Sequence, residues 1–274
     1  MRKLVFWTLW FAFVGGVIAL PPYSESLPLP PRAKLRVMSY NIHVGVGMDK
    51  RMDLQRIAAV INQEQPDLVG LQEVDRGVKR TQGVDEIAEL ARLTRMEYAF
   101  AHNLDYEGGQ YGVAILSRSP ILKTDHRMYL NKREAERRGL LRIEVKIGGQ
   151  TLSFATTHLD YQYEDGRIFE AGQLLDLLKA HPGPMILVGD FNVEPKGDSY
   201  KLVTAYFRDA WLESKANETG LSYPADKPAK RIDYILFRPN EGIRVKRSWT
   251  VNTLASDHVP VLADMEMTVP KGTP

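Results

Sequence analysis

Eight short apolar runs, at 35–42, 67–73, 112–117, 139–147, 151–158, 184–189, 232–237 and 258–266, set the narrowest limit on this chain's fold. Many are rich in β-branched residues and bounded by Gly, Pro or Asp, so they read as strands. Three stretches carry helical periodicity instead. Asp53 stands before the first as a cap, with Leu54, Ile57, Ala58 and Ile61 on one face. The second covers about 84–95, with Ile87, Ala88 and Ala91, and the third about 167–180, with Leu174, Leu177 and Leu178. Many strands with a few interspersed helices predict a layered α/β architecture, helices covering the outer faces of packed sheets.

Polar residues recur where these strands end. Asn41 closes the first in Ser-Tyr-Asn-Ile, and Glu73 the second in Leu-Gln-Glu-Val. His158 follows the run 151–157, and Asp190 and Asn192 follow another in Gly-Asp-Phe-Asn. Asp233 sits inside Arg-Ile-Asp-Tyr-Ile-Leu, and Asp257 and His258 precede the last strand in Ser-Asp-His. Strand ends bring distant side chains to one edge of a sheet, where active sites are commonly built. Singly, these residues have ordinary explanations: an Asp beside Gly is usually a turn residue, and a lone His before a strand is usually structural. Glu73 is different, because a carboxylate ending an apolar strand is costly unless paired or metal-bound.

The residue types narrow the chemistry. Asn, Glu and Asp are hard oxygen ligands, suited to Mg²⁺ or Mn²⁺ rather than zinc. The chain has no cysteine, which excludes thiolate metal sites and cysteine nucleophiles. There is no His-Glu-x-x-His, nucleophile elbow or phosphate-cradling P-loop. What remains fits attack of water on phosphorus, with a metal offsetting the developing charge.

In this order and spacing, Ser-Tyr-Asn41-Ile, Leu-Gln-Glu73-Val, Thr-His158-Leu, Gly-Asp190-Phe-Asn192, Arg-Ile-Asp233-Tyr and Ser-Asp257-His258 resemble the endonuclease/exonuclease/phosphatase superfamily across residues 36–264. That superfamily includes apurinic endonucleases, pancreatic-type deoxyribonucleases, neutral sphingomyelinases and inositol polyphosphate 5-phosphatases. The resemblance implies a four-layer αββα sandwich of two packed mixed β-sheets, with the site at one end. It implies Glu73 as the main metal ligand, with Asn41 beside it and Asp257 contributing. Asp190 would activate water or protonate the leaving group, and Asn192 would orient phosphate or water. His258 would contact phosphate or act as base, oriented by Asp233, while His158 would bind a phosphate oxygen. Some nucleases of this family place a carboxylate near the strand at 112–117 to pair with the first histidine. Here the sequence reads Gln110-Tyr111-Gly112-Val113-Ala114, which leaves the orientation of His158 open. His43, His102, His126 and His181 lack such company and read as ordinary.

Of the charges in the loops, Arg138 and Arg142 flank the start of a strand leading towards His158, and are the candidate phosphate contacts. A net charge of +2 does not by itself argue for nucleic acid. A location at or across a membrane, expected from residues 4–20, makes a lipid head group, an inositol-type phosphate or a nucleotide the first expectation. An exported nuclease using Tyr106, Tyr111, Tyr161, Tyr163 and Tyr223 is the alternative, and an inactive binding module the third reading. Arg2 and Lys3 precede an uncharged run from Leu4 to Leu20, about 26 Å long as a helix, the signature of a signal peptide or membrane anchor. The catalytic domain would then lie on the extracytoplasmic side. Residues 1–20 thus form the targeting segment, 21–34 a Pro-rich linker, 35–268 one catalytic domain and 269–274 a tail. A monomer is expected.

Overall fold

The computed structural model describes residues 31–269. The expected targeting segment, most of the Pro-rich linker and most of the tail lie outside them. Among the described residues, no helix is long and apolar enough to cross a membrane. The first strand, β1 (Arg32–Asn41), begins three residues before the expected domain start, so Arg32, Ala33 and Lys34 belong to the sheet rather than the linker.

The elements follow as α1 (Leu54–Glu64), β2 (Leu68–Arg76), α2 (Glu86–Thr94), β3 (Glu97–Tyr106), β4 (Gly109–Ser117), β5 (Lys123–Met128), β6 (Gly139–Ile147) and β7 (Gln150–His158). Then come α3 (Glu164–Lys179), β8 (Met185–Asp190), α4 (Asp198–Thr204), β9 (Arg208–Asp209), α5 (Ala210–Glu213), β10 (Asp233–Phe237), β11 (Ile243–Thr250) and β12 (Val261–Thr268). They build two six-stranded sheets, ordered β11-β12-β1-β2-β4-β3 and β5-β6-β7-β8-β10-β9. Each sheet contains one parallel pair, β1 with β2 and β7 with β8, each joined by a helix. A parallel pair needs such a crossover.

Apolar side chains fill three layers. Val37, Leu68, Ile115, Ile143, Phe154, Val188 and Ile235 lie between the sheets. Met38, Tyr40 and Leu71 pack outwards against Ile57, Ile61 and Leu90 of α1 and α2. Leu187, Phe191 and Leu236 pack against Leu174, Leu178 and Val203 of α3 and α4. The result is an αββα sandwich, in which strands buried on both faces read as continuous apolar runs. At Gly70 the two sheets pack against each other with no room for a side chain: a Cβ there would lie 2.2 Å from Val188 Cγ2. As expected, Asp53 caps α1, accepting from the N–H groups of Gln55 at 2.9 Å and Arg56 at 3.3 Å.

The topology fixes where polar residues emerge. Asn41, the last residue of β1, pairs with Gln72 midway along β2 and next to Glu73, and His158 pairs with Asp190 at the C-terminal ends of β7 and β8. β10 runs antiparallel to β8, so Asp233, its first residue, faces Asp190. β12 runs antiparallel to β1, with Val261 opposite Ser39, so Asp257 and His258 arrive at the same end.

Candidate active site

A cleft of about 980 Å³ opens at this end, with Glu73, His158, Asp190, Asn192, Asp257, His258 and Arg138 among its lining residues. Local backbone geometry aims several of them. Glu73 has φ +57° and lies where the β2–β4 register slips between Leu71 and Val74. Such a bulge re-aims a side chain at the cost of local strain. Asn192 is also left-handed, at φ +50°, and its N–H donates to Asp190 Oδ1 at 2.8 Å.

Asp190 is the hub. Its Oδ2 accepts from Asn41 Nδ2 at 3.1 Å and lies 3.5 Å from His158 Nε2 and 3.7 Å from His258 Nε2. Burial, reinforced by the charge of Asp233, pushes the Asp190 carboxyl up to about 7. His258 Nδ1 donates to Asp233 Oδ2 at 2.8 Å. Burial alone would lower the His258 pKa, but the Asp233 carboxylate overrides it and holds the imidazolium to about 10. Tyr223 packs on the same ring, at 4.8 Å between centroids. Asp233 lies behind His258 rather than on the cleft wall.

Asn41 also donates to Glu73 Oε1 at 2.9 Å, while its Oδ1 accepts from the His43 N–H at 3.0 Å. The amide therefore turns its nitrogen, not its oxygen, towards the carboxylates. In this orientation it links Glu73 and Asp190 through one nitrogen.

A divalent cation fits this donor set. Glu73 and Asp257 offer hard oxygens, and among the described residues no Lys or Arg lies within ion-pairing distance of either. Asp257 has His43 Nδ1 at 3.7 Å and accepts from the Ser256 hydroxyl at 3.4 Å. Two uncompensated carboxylates in one cleft call for positive charge. Oxygen or nitrogen atoms of Asp190, Asp233 and His258 also lie within 4.8 Å of one another, but the Asp233–His258 hydrogen bond already uses two of them.

The two arginines part company. Arg138, in the loop before β6, is buried beside the site, and its Nη1 lies 2.8 Å from His158 Nδ1 and 3.1 Å from Glu136 Oε1. Arg142 does not line the cleft, so the expected phosphate contact is corrected. It sits three residues into β6, about 10 Å further along the strand, and its Nη1 donates to Glu144 and Ser153. His43, Arg80, Tyr111 and Glu136 line the cleft although the sequence reading gave them no role, apart from Tyr111 in the nuclease alternative. His43 stands two residues after Asn41 in a left-handed turn, φ +45°, and adjacency to that motif was the available signal. Glu136 stood in the sequence only as one charge in a mixed run.

Fold and site together define a class: residues 38–258 match the Endonuclease/Exonuclease/phosphatase family, and the chain belongs to it. The chain is similar to an uncharacterized protein of Escherichia coli, YbhP, at 25% identity over 246 residues, covering 85% of this chain and 96% of that one. Among solved structures, it resembles a family member from Bacteroides thetaiotaomicron with a TM-score of 0.74 and 20% identity, over 86% of this chain and 99% of that chain. A mannosyl-6-phosphatase of the same organism has a TM-score of 0.70 and 20% identity, over 84% and 99%. The catalytic domain of human Nocturnin gives 0.66 and 18%, over 88% and 97%.

Proposed function

We propose that this chain is a Mg²⁺- or Mn²⁺-dependent hydrolase of a small phosphodiester or phosphomonoester. The observation that carries the reading is the convergence of the uncompensated Glu73 and Asp257 with the Asp190–His258–Asp233 chain in one cleft. Glu73 and Asp257 would hold the metal. When bound, it supplies positive charge against the phosphoryl oxygens. Asp190 takes the proton of the attacking water, and the backbone around Asn192 fixes that carboxylate. His258, held protonated by Asp233, faces the phosphate and offsets charge that grows in the transition state. His158, beside Asp190 and backed by Arg138, supplies a further donor.

The cleft volume is that of a small-molecule site. Leu104, Tyr106, Tyr111 and Tyr161 give it a wall suited to a ring, such as a sugar, an inositol or a nucleoside. Among the basic lining residues, Arg80 is engaged by Asp75 and Arg167 by Glu164. These pairings leave Lys196 and Lys230 as the lining lysines outside ion pairs among the described residues, two separate charges and not the continuous basic groove of a nuclease. The uncharged apolar run at residues 4–20 supports export or tethering, with the catalytic domain outside the cytoplasm. Fractionation of the full chain beside a form lacking residues 1–20 tests this location, and a cytoplasmic full-length protein retaining Met1 contradicts it.

The deciding experiment is hydrolysis of a substrate panel with Mg²⁺ and with EDTA: sugar phosphates, inositol phosphates, nucleotides, phospholipids, and single- and double-stranded DNA. EDTA-sensitive turnover of one of the small phosphoesters is expected. Preference for DNA would favour the nuclease reading, and no turnover of any member would favour a binding module.

A further inference from the structure

Deepening that reading, we infer that Arg138 is a positioning residue that fixes His158 as the tautomer carrying its proton on Nε2, aimed into the cleft. Arg138 Nη1 lies 2.8 Å from His158 Nδ1. A guanidinium has five N–H donors, no acceptor and no accessible neutral form. Nδ1 must therefore be the bare, accepting nitrogen, and Nε2 must carry the hydrogen.

The other side of the ring sharpens the assignment. Asn192 Nδ2 lies 2.9 Å from His158 Nε2 and 3.0 Å from the Leu159 carbonyl oxygen. An amide nitrogen there also asks Nε2 to accept. A neutral imidazole accepts at one nitrogen only. The amide keeps its donation to the Leu159 carbonyl and can give up Nε2 to a ligand by a small turn, whereas the buried guanidinium can only donate. Arg138 thus wins, and the Nε2–H is left facing Asp190, at 3.5 Å, and whatever phosphate oxygen lies before it.

Glu136 and Tyr111 hold the arginine. Glu136 Oε1 lies 3.1 Å from Nη1, and the Tyr111 phenol faces the same guanidinium. Arg138 itself is 2% exposed, which locks the geometry. The groups facing the ring are Arg138, Asp190 and His258, of which two are cationic and none lies against Nδ1 as a carboxylate would. Burial, then Arg138 and then His258, keep the ring well below the usual imidazole range. A carboxylate partner would turn the proton onto Nδ1 and favour the imidazolium; the arginine does the reverse. His158 becomes a permanently neutral, one-way donor.

The ring nitrogens of ¹⁵N-histidine-labelled protein report this without any substrate. In the wild type, the His158 signals should show a bare Nδ1 and a protonated Nε2 throughout the interval in which an ordinary histidine titrates, about pH 5 to 8. Arg138→Met should release Nδ1, admit the Nδ1–H tautomer with Asn192 donating to Nε2, and lower kcat/KM roughly tenfold to a hundredfold, as loss of an imidazole's orienting partner does elsewhere. Arg138→Lys, also an obligate donor, should restore the Nε2–H signature and part of the rate. A wild-type His158 protonated at Nδ1 overturns the proposal, as does an unchanged tautomer in Arg138→Met. If that variant does not fold, the wild-type and Arg138→Lys spectra decide. The spectra stand even if no phosphoester is turned over, so failure of the functional reading is told apart from failure of this one.

Discussion

Asp233 is buried at the mouth of an apolar strand, with one oxygen on His258 and the other, Oδ1, without a partner. A buried carboxylate is tolerable here because it shares charge with an imidazolium, and the sharing couples the two residues. His258→Ala and Asp233→Asn should each lower single-turnover hydrolysis roughly a hundredfold or more, the scale for a positioned acid–base or charge-bearing group. Because they act as one unit, the double variant should lose little beyond the worse single variant. A double variant whose loss is the product of the two single losses would remove Asp233 from any role through His258. At the same scale, sequence motifs located the site's residues better than their tasks. Arg142 shows why: where its guanidinium turns is set by Glu144 and Ser153, its partners on β6 and β7.

The central strands and the three long helices were legible because burial writes a continuous or periodic apolar pattern into them. The strands that escaped were β3, β5, β9 and β11, all at sheet edges. β5 reads Lys-Thr-Asp-His-Arg-Met, and β11 carries Arg244, Lys246 and Arg247. Edge strands protect themselves with such charges, which erases the pattern a sequence reading depends on. The helices α4 and α5 are too short to show a period. Between elements, Glu86 of α2 is a further hidden feature. One oxygen accepts from the Asp75 N–H at 2.7 Å, and the other, Oε1, is buried without a partner, as suits a protonated carboxyl. Burial, with the charge of Asp75, pushes Glu86 up to about 8. Below the unfolded value, near 4.5, both states hold the proton and the stabilisation is fully present. As pH rises towards 8 the unfolded chain releases its proton first, so stability falls by up to about 1.4 kcal/mol per unit. Denaturant midpoints at about pH 5 and about pH 8 should show this loss, and Glu86→Gln should make it smaller, leaving the share of Asp190 and His258. An equal slope in that variant would assign the pH dependence to other groups.

At the scale of the whole molecule, the two βαβ units explain why one end carries the chemistry. Each crossover delivers two strand C-termini to the same edge, and packing the sheets face to face brings Asn41 and Glu73 from one against His158 and Asp190 from the other. Such a site spans the interface between sheets, so its charges must balance across it. On one side stand Glu73 and Asp257 without cationic side chains of their own; on the other, His258 and Arg138 are already paired. On the proposed reading, a divalent cation on Glu73 would complete the balance. The most direct test is hydrolysis of the best panel substrate across a Mg²⁺ titration, for the wild type and for Glu73→Gln. An amide gives a hard cation less charge, so the variant should stay folded and need at least about tenfold more Mg²⁺ to reach half its maximal rate, a shift of about 1.4 kcal/mol. A variant that matches the wild type in limiting Mg²⁺, or a wild type indifferent to EDTA, would contradict the account.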